Sequence, residues 1–452
     1  MVSLPEEFVE SLSSHLAAEE VEALCRALDG VSPTSVRLNA AKCGKVDVSE
    51  PVPWCRGGYY LAKRRSFTLD VAFHAGAYYV QEAGSQFIDR VLQGESIEGC
   101  RILDMCAAPG GKTTIYSTAV GRQGLVVANE YVRSRANILA DNVRKWGLGN
   151  VVVTNNDPSH IAAFEGWFDV VAVDAPCSGE GMFRKDEEAR REWSLDNVRM
   201  CAARQMGILE EAWQALRGGG LLIYSTCTFN RRENEELIAA FEAQHEGELT
   251  ASAEVAVDEA WGVVTGRCGA FQTFRFYPHR TASEGLFVAV ARKDSGYGVR
   301  RTPKARKRVM NVVGRVEREE LDRWVQPECK LRYAAVADTI YGYCAEQYDD
   351  VQALAESLTV IYSGVAMGQI FKGRLKPDWA LSQYVGLRRG VVPEAEIDEE
   401  AAVEYLRRHD VASERCCEGL NLVVCRGFVL GFVKRVGARC NNLYPNSLKI
   451  LK

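Results

Sequence analysis

The sequence predicts an α/β fold built on a doubly wound parallel sheet, with smaller regions before and after it. Short apolar runs alternate with helical patterns between residues 101 and 228, which calls for parallel strands and crossover helices. A glycine pair, Gly110-Gly111, follows the first of these runs, as in the turn that opens a ligand-binding helix. The chain has 452 residues, too many for one core, so several domains are expected.

Composition and charge are those of an ordinary globular protein, with 47% apolar and 25% charged residues. The formal net charge is −5, so contact with a polyanion would have to come from local basic patches. No apolar run approaches the roughly 18 residues that span a bilayer, and the start of the chain lacks a signal-peptide pattern, so a cytoplasmic protein is expected. The fifteen cysteines include no Cys-x-x-Cys pair, so no metal site is predicted.

Residues 1–75 are predicted to form a small amino-terminal α/β module. Apolar residues recur at helical spacing from Leu4 to Leu28, and residues 35–39 are typical of a short strand. The large domain is predicted to occupy residues 76–293.

Five apolar runs are predicted to be the parallel strands of the large domain: residues 101–106, 125–130, 151–154, 168–173 and 221–224. A later run, residues 285–292, is predicted to pair antiparallel with residues 273–276. A helix is predicted after Asn230, because an Asn N-cap followed three residues later by Glu233 can satisfy free backbone amides.

Residues 294–310 are predicted to be a basic linker. Its cationic residues are Arg300, Arg301, Lys304, Arg306, Lys307 and Arg308. A solvated tether and a contact with a polyanion explain such a run equally well. Residues 311–452 are predicted to form an α+β region with strands at 358–362, 364–370, 421–425 and 428–433, and an acidic helix at 398–408.

Three motifs follow predicted strands and should therefore meet at the carboxyl edge of the sheet, where such folds bind ligands. They are Ala107-Ala108-Pro109-Gly110-Gly111-Lys112, Asp174-Ala175-Pro176-Cys177-Ser178-Gly179 and Tyr224-Ser225-Thr226-Cys227-Thr228. The glycine turn lets a ligand approach backbone amides at the positive end of the helix dipole. A triphosphate-binding loop is the rival interpretation, but that loop requires glycine where Cys106 stands.

Together these motifs resemble the Sun/Nop family of RNA cytosine-5 methyltransferases over roughly residues 35–293. Further shared segments are Ser35-Val36-Arg37-Leu38-Asn39, Tyr79-Val80-Gln81-Glu82 and Arg275-Phe276-Tyr277-Pro278-His279-Arg280. The resemblance implies a Rossmann-like class I methyltransferase core, S-adenosyl-L-methionine as cofactor and RNA as partner. The tail, residues 427–445, resembles the PUA-like domain of the bacterial ribosomal-RNA branch. It favours 16S ribosomal RNA or the ribosomal subunit as substrate, with transfer RNA as the alternative.

The resemblance also implies where the cofactor lies. Residues 107–112 would lie beside its methionine part, and Glu130 would bind the ribose hydroxyls, with Arg135 following in the same motif. Asp157 matches the acid near the adenine, and Asp174 is expected to border the cofactor as well. Glu130 and Asp157 can instead each cap the helix that follows.

Two thiols divide the chemistry in the resembling family. Carbon 5 of cytosine takes a methyl group only after a nucleophile has added at carbon 6. The resemblance assigns that attack to Cys227 and the release of the product to Cys177, with Asp174 on the cytosine edge and Lys112 paired with Asp174. DNA cytosine-5 methyltransferases use the Pro-Cys cysteine instead, so Cys177 as nucleophile is the alternative. An ammonium group beside Cys227 would favour its thiolate.

Several residues are candidates for contact with RNA phosphates, with surface solubility as the alternative: Arg184, Lys185, Arg275, His279 and Arg280. Phe183 is predicted either to stack near a flipped base or to pack in the core. A catalytically silent RNA-binding scaffold is the remaining hypothesis. The four intact residues Cys177, Cys227, Asp174 and Lys112 argue against it.

Overall fold

The computed structural model describes residues 2–42, 45–297, 301–303 and 308–451. Four cationic residues of the predicted basic linker, Arg300, Lys304, Arg306 and Lys307, lie outside the described residues. Arg301 is described, and its Nη1 lies 3.2 Å from Glu165 Oε2. The two interpretations of the linker therefore both stay open.

The described residues of the amino-terminal module form three α-helices and three strands. They are α1 (Glu6–Leu12), α2 (Ala18–Leu28), β1 (Ser35–Leu38), β2 (Gly58–Tyr60), α3 (Val71–His74) and β3 (Tyr78–Val80). The strands form an antiparallel sheet in the order β2-β1-β3. Val21, Leu24 and Leu28 lie on one face of α2, as the helical spacing predicts, and are buried. They belong to a cluster that includes Phe183 and Trp193, so the module packs directly on the large domain.

The large domain alternates strands and helices, as predicted. Its elements are α4 (Phe87–Gln93), β4 (Arg101–Asp104), α5 (Gly111–Ala119), β5 (Leu125–Asn129), α6 (Arg133–Trp146), β6 (Val151–Thr154), α7 (Pro158–Ala162), β7 (Phe168–Asp174), α8 (Glu187–Glu192), α9 (Leu195–Ala215), β8 (Leu216–Thr226), α10 (Glu235–Gln244), β9 (Leu249–Thr250), β10 (Val264–Cys268), β11 (Phe271–Phe276) and β12 (Leu286–Lys293).

Five parallel strands lie in the order β8-β7-β4-β5-β6, which confirms the predicted Rossmann-like core. The order reverses between β4 and β7, and the cleft beside such a reversal is where these sheets bind ligands. The expected antiparallel pair of β11 and β12 extends the sheet next to β8.

Both faces of the parallel strands are covered, which explains their nearly continuous apolar sequences. In β5, Val126 and Ala128 pack into the hydrophobic cluster on one face, whereas Leu125 and Val127 pack into the cluster on the other. The sheet is therefore a rigid support for the loops at its carboxyl edge.

Helix α10 begins later than predicted. The Asn230 side chain does accept a hydrogen bond from the backbone amide of Glu233, at 2.9 Å. The helix starts only at Glu235, because residues 231–234 form a turn. The Glu233 carboxylate accepts a hydrogen bond from the Ser178 amide instead of capping α10.

The carboxyl-terminal region is α+β, as predicted. Its elements are β13 (Asn311–Val312), α11 (Arg315–Asp322), β14 (Leu331–Val336), β15 (Thr339–Cys344), α12 (Tyr348–Ser357), β16 (Val360–Ser363), β17 (Val365–Phe371), β18 (Arg374–Pro377), α13 (Trp379–Gln383), β19 (Glu394–Glu396), α14 (Glu399–Leu406), β20 (Gly419–Cys425), β21 (Phe428–Val436) and β22 (Arg439–Asn442). Two sheets form there, β13-β14-β15-β17-β18 and β19-β20-β21-β22.

Strand β16 does not join either of these sheets. It pairs antiparallel with β6, so that Val360 lies opposite Thr154, and completes a sheet of ten strands. The sheet that carries the site therefore draws one edge strand from beyond residue 310. Among the helices of the described residues, none has the length and apolar character needed to cross a membrane.

Candidate active site

The loop between β4 and α5 forms one wall of the site. Gly110 has φ = +113°, and a Cβ there would approach Leu139 Cδ1 to 3.0 Å, so glycine fits both the conformation and the space. The carbonyl oxygen of Pro109 accepts hydrogen bonds from Asn142 Nδ2 at 2.8 Å and from Tyr79 Oη at 3.3 Å. The loop is thus held by α6 and by the predicted Tyr79 motif, and α5 begins at Gly111, directly after the glycine turn.

Asp104 ends β4 in a nearly inaccessible position, with 1% of its surface exposed. Thr113 Oγ1 donates a hydrogen bond to its Oδ2 at 2.7 Å. Burial raises the pKa of Asp104 to about 7, although the hydrogen bond from Thr113 opposes the shift. This acid therefore titrates near neutral pH beneath the loop.

Glu130 directly follows β5 and is buried. Its Oε1 accepts a 2.9 Å hydrogen bond from the Val132 amide, and its Oε2 lies 3.7 Å from Arg135 Nη1. Arg135 Nη2 donates a 3.0 Å hydrogen bond to the carbonyl oxygen of Ala108. The Glu130 carboxylate suits the ribose hydroxyls of a nucleoside, and the amide end of a helix suits a carboxylate. The two groups together therefore fit a nucleoside that carries an amino-acid tail.

Asp157 caps α7, which is the structural alternative for this residue. Its Oδ1 accepts hydrogen bonds from the amide and the hydroxyl of Ser159, at 3.0 and 2.6 Å. These bonds lower the pKa of Asp157. Its contact with adenine stays a prediction.

Lys112 and Asp174 form the predicted ion pair between the first turn of α5 and the end of β7, with Nζ and Oδ2 2.8 Å apart. Burial by itself would lower the pKa of Lys112, but Asp174 together with Cys227 and Asp104 outweighs burial and the pKa is raised. The other oxygen of Asp174 accepts a 2.7 Å hydrogen bond from Ser225 Oγ. The carboxylate is therefore fixed from two sides, by the loop after β4 and by β8.

Cys177 and Cys227 also meet, as the strand order predicts. Their Sγ atoms lie 3.2 Å apart, and both are free thiols that are partly accessible. The hydrogen bond to Cys227, followed by burial, raises the pKa of Cys177 well above its usual value. The structure thus brings together all four residues expected to carry the chemistry.

Three polar residues of the site were not predicted. Ser225 holds Asp174, and the buried acids Glu180 and Glu233 lie behind the two cysteine loops. The available signal was their position, since Glu180 follows Cys177 by three residues and Glu233 follows Cys227 by six. Acids so close to a nucleophile in sequence are candidates for its environment.

Two of the predicted phosphate contacts are wrong. Arg184 Nε lies 2.8 Å from Glu284 Oε2, and its side chain is only 6% exposed. Arg275 Nε donates to Glu235 Oε1 at 2.6 Å, with 9% of its side chain exposed. Both guanidinium groups are used within the protein and are not surface charges.

The remaining candidates differ in exposure. The His279 side chain is buried beside Glu20, whereas Lys185 and Arg280 are exposed. Phe183 packs in the core, with its ring 5.0 Å from that of Phe8. Lys185 and Arg280 remain candidates for RNA contact.

Comparison with known families assigns three successive segments of the chain. Residues 4–83 match the family described as the N-terminal domain of 16S rRNA methyltransferase RsmF. Residues 90–292 match 16S rRNA methyltransferase RsmB/F, and residues 392–450 match the methyltransferase RsmF PUA domain.

Full-length relatives give the same result. The ribosomal RNA small subunit methyltransferase F of Aeromonas hydrophila is 32% identical, over 98% of this chain and 97% of its own. That of Erwinia tasmaniensis is 29% identical, over 99% of this chain and 97% of its own.

Solved structures match about two thirds of the chain. A methyltransferase homolog protein from Pyrococcus horikoshii superposes with a TM-score of 0.52 at 25% identity, covering 64% of this chain and all of that one. The fold of NSun6 from Pyrococcus horikoshii is also similar, with a TM-score of 0.54 at 20% identity, covering 64% of this chain and 98% of that one. The chain therefore belongs to the 16S rRNA methyltransferase RsmB/F family and is an S-adenosylmethionine-dependent RNA methyltransferase, as its sequence predicted.

Proposed function

We propose that this protein methylates carbon 5 of a cytosine in 16S ribosomal RNA through a covalent adduct on Cys227. The observation that carries the proposal is the pair of thiols 3.2 Å apart, beside the ion pair of Lys112 and Asp174. Two converging thiols suit a reaction in which one sulfur must add and later leave. The names of the relatives support the choice of small-subunit ribosomal RNA.

Addition is the first task of the site. The Cys227 sulfur forms a bond to carbon 6, and the electrons of the carbon 5–carbon 6 double bond become available at carbon 5. The Lys112 ammonium supports this step, because a nearby positive charge stabilises the attacking thiolate. A proton or hydrogen bond donated to ring nitrogen 3 takes up the negative charge of the adduct. Asp174 contacts the cytosine edge by accepting a hydrogen bond from the exocyclic amino group, and Lys112 and Ser225 hold its carboxylate in one orientation.

S-adenosyl-L-methionine, when bound, supplies the methyl group as an electrophile. The residues of this chain that would hold it are those of the loop 107–112, whose amide end suits its carboxylate, and Glu130, whose carboxylate suits ribose hydroxyls. Arg135 would keep that loop and Glu130 in register, since it contacts both.

Release is the second task. After methylation, carbon 5 carries both a methyl group and a hydrogen. Solvent water takes up that hydrogen as a proton, and Cys227 departs as a thiolate, which restores the ring double bond. Because its pKa is raised, the Cys177 thiol retains its proton and can donate a hydrogen bond to the departing sulfur.

The opposite phenotypes of the two cysteine variants test this mechanism. Cys227→Ala is expected to abolish methylation and to form no adduct, whereas Cys177→Ala should accumulate a protein–RNA adduct that migrates slowly under denaturing conditions. Cys201→Ala, which changes a buried cysteine of α9, is the matched control and should behave as the unaltered protein. An adduct from Cys227→Ala but none from Cys177→Ala would reverse the assignment.

The substrate is tested separately. Bisulfite sequencing of ribosomal and transfer RNA from a deletion strain should show one cytidine in 16S ribosomal RNA that has lost its methyl group. Loss of a site in transfer RNA would instead establish the alternative substrate. A ribosomal substrate would also account for the expected cytoplasmic location.

A further inference from the structure

Glu233 lies behind the two cysteine loops, with none of its surface exposed. Its Oε2 accepts hydrogen bonds from the Ser178 amide at 3.0 Å and from Gln205 Nε2 at 2.6 Å. Its Oε1 accepts from Asn230 Nδ2 at 2.7 Å and from the Ser178 hydroxyl. Four donors therefore converge on one carboxylate beside Cys177.

The orientation of these donors is fixed by other groups of the network. Gln205 Nε2 also donates to the carbonyl oxygen of Pro176 at 3.0 Å, which can only accept. Asn230 Oδ1 accepts from the Glu233 amide, so its Nδ2 must face the carboxylate. Three N–H donors, from Ser178, Gln205 and Asn230, point at the two oxygens and favour the carboxylate form of Glu233, although burial raises the pKa of this acid.

A second acid extends this arrangement to the Cys227 loop. Glu180, also fully buried, accepts hydrogen bonds from the amides of Phe229 and Asn230 at 2.7 and 2.9 Å. Ser178, which follows Cys177, contacts Thr228, which follows Cys227, with 3.0 Å between their hydroxyl oxygens. The two loops are thus locked together through their neighbouring residues.

Neither acid forms a close ion pair within the described part of the chain, where an ion pair means a nitrogen within 4 Å, although the Arg275 guanidinium interacts with Glu180 at longer range. A buried charge without an ion-pair partner is costly, so it depends on hydrogen bonds such as the four at Glu233. Glu233 places negative charge next to Cys177, whereas Lys112 places positive charge near Cys227.

We propose that Glu233 is a positioning residue that polarises the thiol pair, holding Cys177 against Cys227 and keeping the shared proton on Cys177. This inference rests on the proposed function, because the two cysteine roles that it explains are those of the proposed mechanism. Glu233 would thereby make Cys177 the proton donor and Cys227 the nucleophile.

Several other charged or titratable groups face this cluster: Asp174 and Lys112 on the cofactor side, Cys106 and Tyr224 beneath the thiols, and Glu180, Cys201 and Arg204 on the side of α9 and the Cys227 loop. The negative charge of Glu233 and the raised pKa of Cys177 agree in direction, because a nearby anion disfavours a second one.

Alkylation of the thiols tests the inference without RNA or cofactor. The full-length protein is treated with limiting iodoacetamide across a range of pH, and initial rates at Cys177 and Cys227 are measured by peptide mass spectrometry. At neutral pH, Cys227 should react roughly tenfold faster than Cys177, since the thiolate is the reactive form. In Glu233→Gln, Cys177 should react several-fold faster than in the unaltered protein, and its pH midpoint should fall.

Glu236→Gln removes the same charge from an exposed position three residues along and should leave both profiles unchanged. Glu233→Asp keeps the charge and should keep the alkylation of Cys177 slow.

An unaltered Cys177 profile in folded Glu233→Gln would overturn the inference. If that variant does not fold, faster reaction of Cys177 than Cys227 in the unaltered protein would overturn it equally. Because this readout needs no methyl transfer, its failure is distinct from failure of the adduct experiment.

Discussion

The Arg135 guanidinium donates a 3.0 Å hydrogen bond to the carbonyl oxygen of Ala108, which ties helix α6 to the loop that follows β4. The same guanidinium lies 3.7 Å from Glu130. The loop and the acid that flank the expected cofactor site are therefore linked by one side chain, and substitutions on either side should be felt by the same ligand.

Glu130→Ala is expected to weaken binding of S-adenosylmethionine about ten- to a hundredfold, because a lost charge-assisted hydrogen bond typically costs about 1.5–3 kcal/mol. RNA affinity should change little. Isothermal titration calorimetry with the cofactor measures the effect, and Glu98→Ala, an exposed acid elsewhere, is the control. Unchanged cofactor affinity in Glu130→Ala would rule out this role.

Asp104 should make stability depend on pH. Its pKa is about 7 in the folded chain but about 4 when unfolded. Its contribution to the free energy of unfolding is therefore full below about pH 4 and is lost as pH rises through about 7. The loss has an upper limit of about 4 kcal/mol, at about 1.4 kcal/mol per pH unit.

The variant Asp104→Asn keeps the acceptor for Thr113 but does not titrate. The free energy of unfolding of the variant minus that of the unaltered protein should be larger at pH 8 than at pH 5. Urea unfolding of the cofactor-free chains measures this difference. An equal difference at both pH values would contradict a raised pKa for Asp104.

A chain that ends at Lys293 is expected to be less stable and to bind cofactor weakly. It would lose β16, which covers the edge of β6, and Gln347, whose Nε2 donates to the carbonyl oxygen of Arg122 at 2.8 Å. Thermal unfolding with and without cofactor measures this. A truncated chain that unfolds at the same temperature would show that the added strand contributes nothing to the sheet.

The linker is better tested by charge. If Lys304, Arg306, Lys307 and Arg308 bind phosphates, replacing all four by Gln should reduce the slope of log affinity against log salt by roughly 0.7–0.9 for each phosphate that is no longer neutralised. The control replaces four exposed arginines that form ion pairs within helices: Arg26, Arg191, Arg199 and Arg315. An equal slope in the linker variant and the unaltered protein would identify a solvated tether.

Sequence predicted those features that depend on local periodicity and on strand ends. The parallel strands follow from apolar runs, and the meeting of Cys177 with Cys227 follows from their positions after neighbouring strands. Pairings between distant segments were not predictable in this way. Nothing near Val360 indicates a partner at Thr154, and an arginine such as Arg184 has the same local pattern whether it is exposed or paired with a buried Glu284. Glu233 was expected to cap a helix, but its carboxylate binds Ser178 instead.

The edge strand β16 has a consequence for biosynthesis. Its residues leave the ribosome roughly 200 positions after those of β6, so the sheet that holds the reactive loops is made long before its last strand exists. Throughout that interval the backbone of β6 is an unpaired edge, open to pairing with other chains. A nascent chain that stalls in this interval has an unpaired, aggregation-prone edge strand and is an incomplete enzyme. Translation through residue 363 is therefore what allows this catalyst to mature.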